Sequence, residues 1–332
     1  MGKLAAKELQ KMLDCIKKDF RVIVPPMIGY DAGVHLLHGK YVAVATDPCT
    51  GVPEEWFGWL MIHYAASDVA LFGAKPEFCT ITLLGPKGTK SAVFQKIMKQ
   101  TCSTADELGI AIVRGHTGMY DSLSGVLGVC TVYRTVEPKK LITPGNAKPG
   151  DLILCTKPLG LETVTNISLT YPAFAQTLFG AEQQRIFAKQ VSMQSCVREA
   201  LDLSEMGAVH AMHDATEGGF VAALNELSQA SSIGFRVEWG KMPISKEVLA
   251  LQSYFKLTDE QLLAMSSTGT ILAAVKPQAQ EQVKEILKKN GFSGYFLGEF
   301  TASKDRVLIR NGKETPFPQV VNDPYTLILS RK

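Results

Sequence analysis

The sequence lacks a dominant charge of either sign. Lys plus Arg number 35 and Asp plus Glu 32, a formal net charge of +3. That balance offers no electrostatic footprint for a nucleic acid or a membrane surface, so neither is expected as a partner. Clustered cysteines are missing as well. The seven, at positions 15, 49, 79, 102, 130, 155 and 196, are odd in number and stand 23 to 41 positions apart. With no C-x-x-C and no close Cys/His grouping, neither a zinc ribbon nor a disulfide framework is supported. Met1–Arg21 is charged and amphipathic rather than a basic stretch leading into an apolar one, so the cytoplasm is the expected compartment. Two stretches are poor in charge, but neither reads as a membrane span. Thr163–Ala181 is interrupted by Asn166, Pro172 and several hydroxyls, and the apolar run Trp56–Ala74 contains Asp68. Solenoid repeats and low-complexity tracts are absent. So are the nucleotide fingerprints: no G-x-G-x-x-G occurs, and Gly33…Gly39-Lys40-Tyr41 has the wrong spacing and the wrong last residue for a P-loop.

What is present is a chain of 332 residues, 46% apolar and 20% charged, which suits about two globular domains with sizeable cores. The apolar spacing predicts a first helix in Met1–Phe20, a strand at Tyr41–Thr46 stopped by Asp47-Pro48, and a helix over Glu55–Phe72 closed by Gly73 and Pro76. A strand at Phe78–Leu84, a helix over Thr89–Leu108 ending at Gly109, a short buried strand at Ile110–Val113 and a strand at Gly125–Val136 follow. Pro138 and the run Pro144-Gly145-Asn146-Ala147-Lys148-Pro149-Gly150 form the clearest boundary, giving domains at 1–140 and 150–332. Beyond it the pattern restarts. Strands are expected at Asp151–Thr156, near Val209–Met212, at Phe235–Trp239, Thr270–Val275 and Tyr295–Glu299. Helices are expected between Leu161 and Met206, over Gly218–Ala230 and over Gln278–Lys289. Strands and helices alternate in both halves, which predicts two mixed α/β or α+β domains.

Acidic and polar residues stand where strands or glycine-rich turns end, where ligands of α/β proteins collect. Asp31 lies in Gly29-Tyr30-Asp31-Ala32-Gly33, Asp47 closes a strand, and His116 follows Ile110–Val113 within Gly115-His116-Thr117-Gly118. Asp214 follows Val209–Met212 within His213-Asp214-Ala215-Thr216-Glu217-Gly218-Gly219. Each has a plainer reading. Asp31 and Asp47 suit ordinary turns, and Asp214 or Thr216 suits the N-cap of the helix starting at Gly218. Asp68 sits inside an apolar helix, where a buried carboxylate needs a cation or a basic group to neutralise it. Asp31, Asp47 and Asp68, with no P-loop, fit Mg²⁺ held by oxygen ligands and bridging nucleotide phosphates. His35/His38 and His210/His213 are spaced H-x-x-H, which on a strand sends the two rings to opposite faces. His63 reads as a core or interface residue, Trp56, Phe57 and Trp59 as packing, and Lys157 as a solvated lysine or a phosphate contact.

Taken together the segments resemble the aminoimidazole-ribonucleotide-synthetase-like (PurM-like) superfamily. The resemblance runs in order from about residue 20 to 300. It is carried by Gly29-Tyr30-Asp31-Ala32-Gly33-Val34, Asp47-Pro48-Cys49-Thr50, Phe57-Gly58-Trp59 and Ser67-Asp68-Val69-Ala70-Leu71-Phe72-Gly73-Ala74-Lys75-Pro76. Val113-Arg114-Gly115-His116-Thr117, Pro149-Gly150-Asp151-Leu152-Ile153 and His213-Asp214-Ala215-Thr216-Glu217-Gly218-Gly219 complete it. It implies a two-domain fold whose N-terminal domains pair into a dimeric β-barrel, with a C-terminal α/β sandwich. It also implies an ATP-dependent enzyme that works as a homodimer. Asp31, Asp47 and Asp68 would then hold Mg²⁺ on the triphosphate, with Gly115 and Thr117 at the nucleotide. His116 is expected at phosphate or substrate, since Mg²⁺ prefers oxygen, and Asp214 on the acceptor side.

Asp-Ala-Thr-x-Gly-Gly is similar to the branch of the hydrogenase-maturation factor HypE, in which ATP drives dehydration of a thiocarboxamide to a thiocyanate on a C-terminal cysteine. Here the tail reads Asp323-Pro324-Tyr325-Thr326-Leu327-Ile328-Leu329-Ser330-Arg331-Lys332, and the last cysteine is Cys196. The acceptor is therefore expected to be a small-molecule or protein-borne carbonyl group, with a maturation protein as a further partner. A small-molecule kinase of the thiamine-monophosphate-kinase type and a non-catalytic nucleotide-binding assembly factor are the alternatives. A selenophosphate-synthetase role is not expected, because Val24-Pro25-Pro26-Met27-Ile28-Gly29 stands where that family has a reactive Cys and Lys.

Overall fold

The structure is a computed structural model that describes residue 4 and residues 6–330. Part of the predicted first helix, at residues 1–3 and 5, lies outside the described residues; the helix itself, α1, spans Ala6–Leu13. The chain divides into two compact units. One, here the N-terminal unit, comprises Lys17–Pro26 and Asp31–Leu141. The other, the C-terminal unit, comprises Ile142 onward together with Met27–Tyr30 and the residues up to Ile16.

The N-terminal unit contains β1 (Val22–Val24), β2 (Gly33–Leu37), β3 (Lys40–Thr50), α2 (Phe57–Leu71), β4 (Phe78–Pro86), α3 (Ser91–Leu108), β5 (Ala111–Tyr120) and β6 (Leu127–Val136). Its six-stranded sheet has the order β1-β2-β3-β6-β4-β5. The longest ladder, β3 against β6, runs antiparallel from Tyr41↔Val136 to Thr50↔Leu127. The almost wholly apolar α2 lies across β3 and β6 and beside α3. Cys49 Sγ reaches Phe57 O at 3.7 Å, and Phe57 and Met61 press on Gly128 so closely that a side chain there would have to displace them. Both helices stop where the sequence places a glycine: Gly73 and Gly109 take φ of +77° and +69°, the left-handed conformation that ends helices cheaply only for glycine.

Two expectations are corrected in this unit. The strand predicted to stop at Asp47-Pro48 continues to Thr50, with Pro48 opposite Val129. Beyond Val44 β3 has no partner on its β2 side among the described residues, so a residue without an N–H is tolerated on that half-open strand. The short buried strand predicted at Ile110–Val113 is instead a ten-residue strand that runs through Gly115-His116-Thr117-Gly118. It pairs parallel to β4, and Val113 is the extra residue of a bulge between Cys79↔Ile112 and Thr80↔Arg114. Being the outermost strand, it is exposed along almost its whole length, Val113 at 57%.

The C-terminal unit adds β7 (Leu152–Cys155), α4 (Leu161–Thr170), α5 (Pro172–Phe179), α6 (Ala181–Ala188), α7 (Val197–Glu205), β8 (Val209–Asp214), α8 (Gly219–Ser231) and β9 (Gly234–Glu238). It continues with α9 (Lys246–Phe255), α10 (Asp259–Leu263), β10 (Ile271–Val275), α11 (Gln280–Lys289), β11 (Tyr295–Thr301), β12 (Arg306–Arg310), β13 (Lys313–Pro316) and α12 (Tyr325–Leu329). Its seven strands are ordered β13-β12-β9-β11-β7-β10-β8, and all pairs are antiparallel except β9 with β12. All five residues of β10 are buried, so this strand is covered on both faces. Phe220, Phe235 and Phe317 meet edge to face in the core, with ring centroids 5.8 and 4.9 Å apart. The sequence reading did not contain the β12–β13 hairpin, because all four residues of β13 are exposed and show no alternation to detect. Among the described residues, no helix is long and apolar enough to cross a membrane. The PurM-like two-domain α/β architecture expected from the motifs is the one observed.

Candidate functional site

Three of the predicted site residues, Asp31, Asp47 and Asp68, belong to the N-terminal unit, and all are half-buried. Asp31 stands two residues before Gly33, where β2 begins; Gly33 pairs with Val44, three residues before Asp47 in the neighbouring strand. Asp31 and Asp47 thus share one end of the β2–β3 pair. Asp47 is directly opposite Cys130. Its side chain points to the face covered by α2, as do Cys49 and Gly128. The Cys130 thiol is pushed up by its hydrogen bond with Cys79, by burial, and also by the nearby charge of Asp47. Asp68 opens the last turn of α2, the helix packed on β3. The sequence reading placed it away from any helix end and in the interior. It is at a helix end and only half-buried. The helix dipole there disfavours a carboxylate, which leaves the need for a compensating positive charge in place.

Gly115, His116 and Thr117 lie inside β5 rather than in a turn after a strand. One cross-sheet row runs Asp47–Cys130–Ile81–Gly115. At about 4.8 Å per strand, Gly115 is three strands, about 14 Å, from Asp47. His116 belongs to the adjacent row, Pro48–Val129–Thr82–His116, so its ring is on the face opposite α2. Within one chain the sheet therefore sets His116 apart from Asp47. Its ring Nε2 is 3.5 Å from the hydroxyl of Tyr120.

In the C-terminal unit, Asp214 is the last residue of β8, paired with Ile271 and only 3% exposed. The two histidines of this strand do go to different partners. His210 Nδ1 is 2.8 Å from Asp151 Oδ2, and His213 Nε2 is 2.7 Å from Glu226 Oε2. Neither Asp214 nor Thr216 caps α8. The N–H of its N-cap, Gly218, donates to Asp323 Oδ2 at 3.0 Å, from 105 residues further along the chain. Gly219, at φ +54°, packs against the backbone of Leu263–Met265, an approach that excludes any side chain. The Gly-Gly pair is thereby explained by geometry.

Lys157 fits neither reading offered from the sequence. It is 1% exposed and ion-paired with the equally buried Glu199. It also donates to the carbonyls of Met193, Ser195 and Gly269 at 2.9, 2.6 and 2.7 Å. Its role is to tie three segments together. His63 is buried and stacks on Trp59 at 3.8 Å, in line with a packing role.

Sequence reasoning missed a polar cluster in the C-terminal unit. Glu162, in the first turn of α4, accepts from Thr268 Oγ1, and Asn166 Nδ2 lies 3.4 Å from its other oxygen. Asn166 also donates to the hydroxyl of Tyr325 at 2.7 Å and accepts from Gln194 Nε2 at 2.9 Å. Burial pushes the Glu162 carboxyl up to about 7; Asp323 and Glu217 add to this, while the Thr268 hydrogen bond opposes it. The one available signal was the punctuation Asn322-Asp323-Pro324 near the tail.

Two sheets in this order, with carboxylates at strand ends in each unit and no P-loop in the sequence, define a two-domain α/β architecture. The chain belongs to the AIR synthase related protein family: the N-terminal domain of that family matches residues 29–133 and the C-terminal domain residues 148–311. Among curated relatives, a Methanocaldococcus jannaschii protein named for hydrogenase expression and formation is 28% identical over 76% of this chain and 72% of its own length. The carbamoyl dehydratase HypE of Azotobacter vinelandii is 25% identical over 78% of this chain and 73% of its own. A selenide, water dikinase of Myxococcus xanthus is 29% identical over 75% and 70%. Two solved structures share the fold. HypE in its complex with HypF has a TM-score of 0.74 at 20% identity, covering 95% of this chain and all of that one. HypE in complex with ATP has a TM-score of 0.72 at 20% identity, covering 89% of each.

Proposed function

We propose that this chain is an ATP- and Mg²⁺-dependent enzyme that transfers the γ-phosphoryl group to a carbonyl-type oxygen, converting it into a leaving group, as in a HypE-like dehydration. The observation that carries the reading is that Asp31 and Asp47 share one end of the β2–β3 pair while Asp68 stands on the helix packed on β3. An all-carboxylate donor set suits a hard cation such as Mg²⁺. When bound, Mg²⁺ neutralises charge on the phosphates; the three aspartates would hold it. Gly115 and Thr117 are assigned to the nucleotide, His116 to phosphate or substrate, and Asp214 to the acceptor. The nucleotide work falls to domain 1–140, and domain 150–332 supplies Asp214. ATP use is supported by the family match and by the likeness to HypE with ATP bound.

The acceptor is a small-molecule or protein-borne carbonyl group. In these 332 residues the last cysteine is Cys196, and it is buried, so the tail described here carries no thiol of its own. A second copy of the chain is the proposed occupant of the open β5 edge, since a ten-residue strand exposed along nearly its whole length is otherwise a template for indiscriminate pairing. A maturation protein is the proposed further partner, by analogy with the HypE–HypF complex, and the cytoplasm the proposed site of action.

Calorimetry of ATP binding with and without Mg²⁺ tests the assignment. Wild-type protein should bind ATP more tightly when Mg²⁺ is present, and Asp47→Asn should lose most of that gain while keeping its fold by circular dichroism. An Asp47→Asn variant whose Mg²⁺ dependence is intact sinks the metal assignment. Phosphate release that appears only with a protein partner supports maturation chemistry, whereas ADP formation with a small acceptor alone supports the kinase alternative.

A further inference from the structure

The last stretch of described chain is pinned at several points to the C-terminal unit. Phe317 is 2% exposed in the core, and Asn225 Nδ2 donates to the carbonyls of Pro318 and Gln319 at 2.8 and 3.3 Å. Asp323 Oδ2 accepts from Gly218 N at 3.0 Å and from Ser266 Oγ at 2.5 Å, and its Oδ1 accepts from Tyr325 N at 2.8 Å. The Tyr325 hydroxyl rests on Asn166, Ile328 is fully buried, and Tyr171 donates to the carbonyl of Leu329 at 2.8 Å. Residues 317–329 thus form a strap that crosses the start of α8 and continues onto α4.

Glu162 lies beneath this strap. Thr268 faces it from the loop before β10, Asn166 from its own helix, Tyr325 and Asp323 from the strap, and Glu217 from the turn before α8. The charges acting on it, Asp323 and Glu217, are both negative. Among the described residues none of the three carboxylates forms an ion pair with a basic side chain. Gln194, 1% exposed, completes the network through Asn166 and leaves its own Oε1 without a hydrogen-bond donor among the described residues. A closed strap therefore tolerates a neutral Glu162 and is strained by an ionised one, because ionisation adds a third negative charge that the Thr268 and Asn166 hydrogen bonds offset only in part.

We propose that residues 317–329 are a proton-controlled strap: it stays closed while Glu162 is protonated and opens when Glu162 gives its proton to solvent. Opening uncovers the Gly218 N–H and the Ser266 hydroxyl beside the His213–Gly219 segment. The proposal goes beyond the ATP reading and stands or falls separately from it. The sign follows from linkage. In the closed form the Glu162 carboxyl is pushed up to about 7; with the strap open, water reaches it and Asp323 moves away, so its pKa falls. The closed form is fully favoured below the open-form pKa, and its advantage is lost as pH rises through about 7. Each unit of pKa difference between the two forms changes the closed-to-open ratio about tenfold.

Leu327, on the strap and 55% exposed, is a point where a spin label disturbs little. In the full chain with the exposed Cys15 and Cys102 replaced by serine, a label on Leu327→Cys reports strap mobility by electron paramagnetic resonance. Between about pH 5.5 and about pH 8.5 the mobile fraction should rise several-fold, with its midpoint near the folded Glu162 value. Glu162→Gln, which cannot ionise, should hold the label immobile at every pH, and Asp323→Ala should leave it mobile at every pH. A mobile fraction that does not change with pH overturns the proposal, as does a transition that survives Glu162→Gln. Because Glu162→Gln is nearly isosteric, it keeps the proposal open to refutation even if Asp323→Ala fails to fold.

Discussion

β5 and β8 are both outermost strands of their sheets, and both carry residues singled out from the sequence, His116 on one and Asp214 on the other. They are finished in opposite ways. Every residue of β8 except His210 is buried, and the turn Pro144–Asn146 packs against the strand. Its histidines are paired with Asp151 and Glu226 in the same unit. β5 has ten residues with almost nothing laid over them. An edge can be closed by the chain's own segments or left for another chain to close, and the polar residues on it differ accordingly. On β8 they are fixed within one molecule. On β5 they stand on a surface that a second copy would complete.

The largest effect expected on the closed side lies behind β8, where α7 carries Glu199 against Lys157. Glu199→Ala strands a buried ammonium and should cost about 3–5 kcal/mol in urea unfolding; a loss below about 1 kcal/mol would mean that the three carbonyls suffice alone. His210→Ala is next. It removes one partner of Asp151, which still accepts from Lys148 N at 2.8 Å, so a loss of about 1 to 2 kcal/mol is expected in the same assay. The smallest change in folding stability belongs to the open side. Val113→Lys on β5 should leave the unfolding midpoint nearly unchanged, yet weaken self-association about tenfold in sedimentation equilibrium. Unaltered association would show that β5 is not the interface, and the contrast between the two edges would then need another explanation.

The helices were the most legible part of the sequence. α2 and α3 combine apolar spacing with a glycine at the stop, so local chemistry alone defines where they end. Strand lengths were less legible, because they depend on neighbours. Asp47-Pro48 is a turn signal only if both edges of the strand are laddered, and beyond Val44 one is not. Gly115 and Gly118 suggested a loop, yet an outer strand absorbs them because little among the described residues packs over it. Of the candidate site, the carboxylates at the ends of β2 and β8 were readable from motif and position. Lys157 and Asp323 were not. The partner of the first is 42 residues away, and the second accepts from the N-cap residue of a helix 105 residues earlier, separations at which spacing carries no information.

The β3–β6 ladder has a consequence in time. Asp47 is positioned against Cys130, which is added to the chain 83 residues later. At ribosomal rates of about 5–20 residues per second, the strand bearing Asp47 waits roughly 4 to 17 s before its partner exists. Its edge on the β6 side stays unpaired throughout, because that ladder is non-local and forms only after α2, β4, α3 and β5 have been made. The segment on which the proposed metal site depends is therefore among the first made and the last secured.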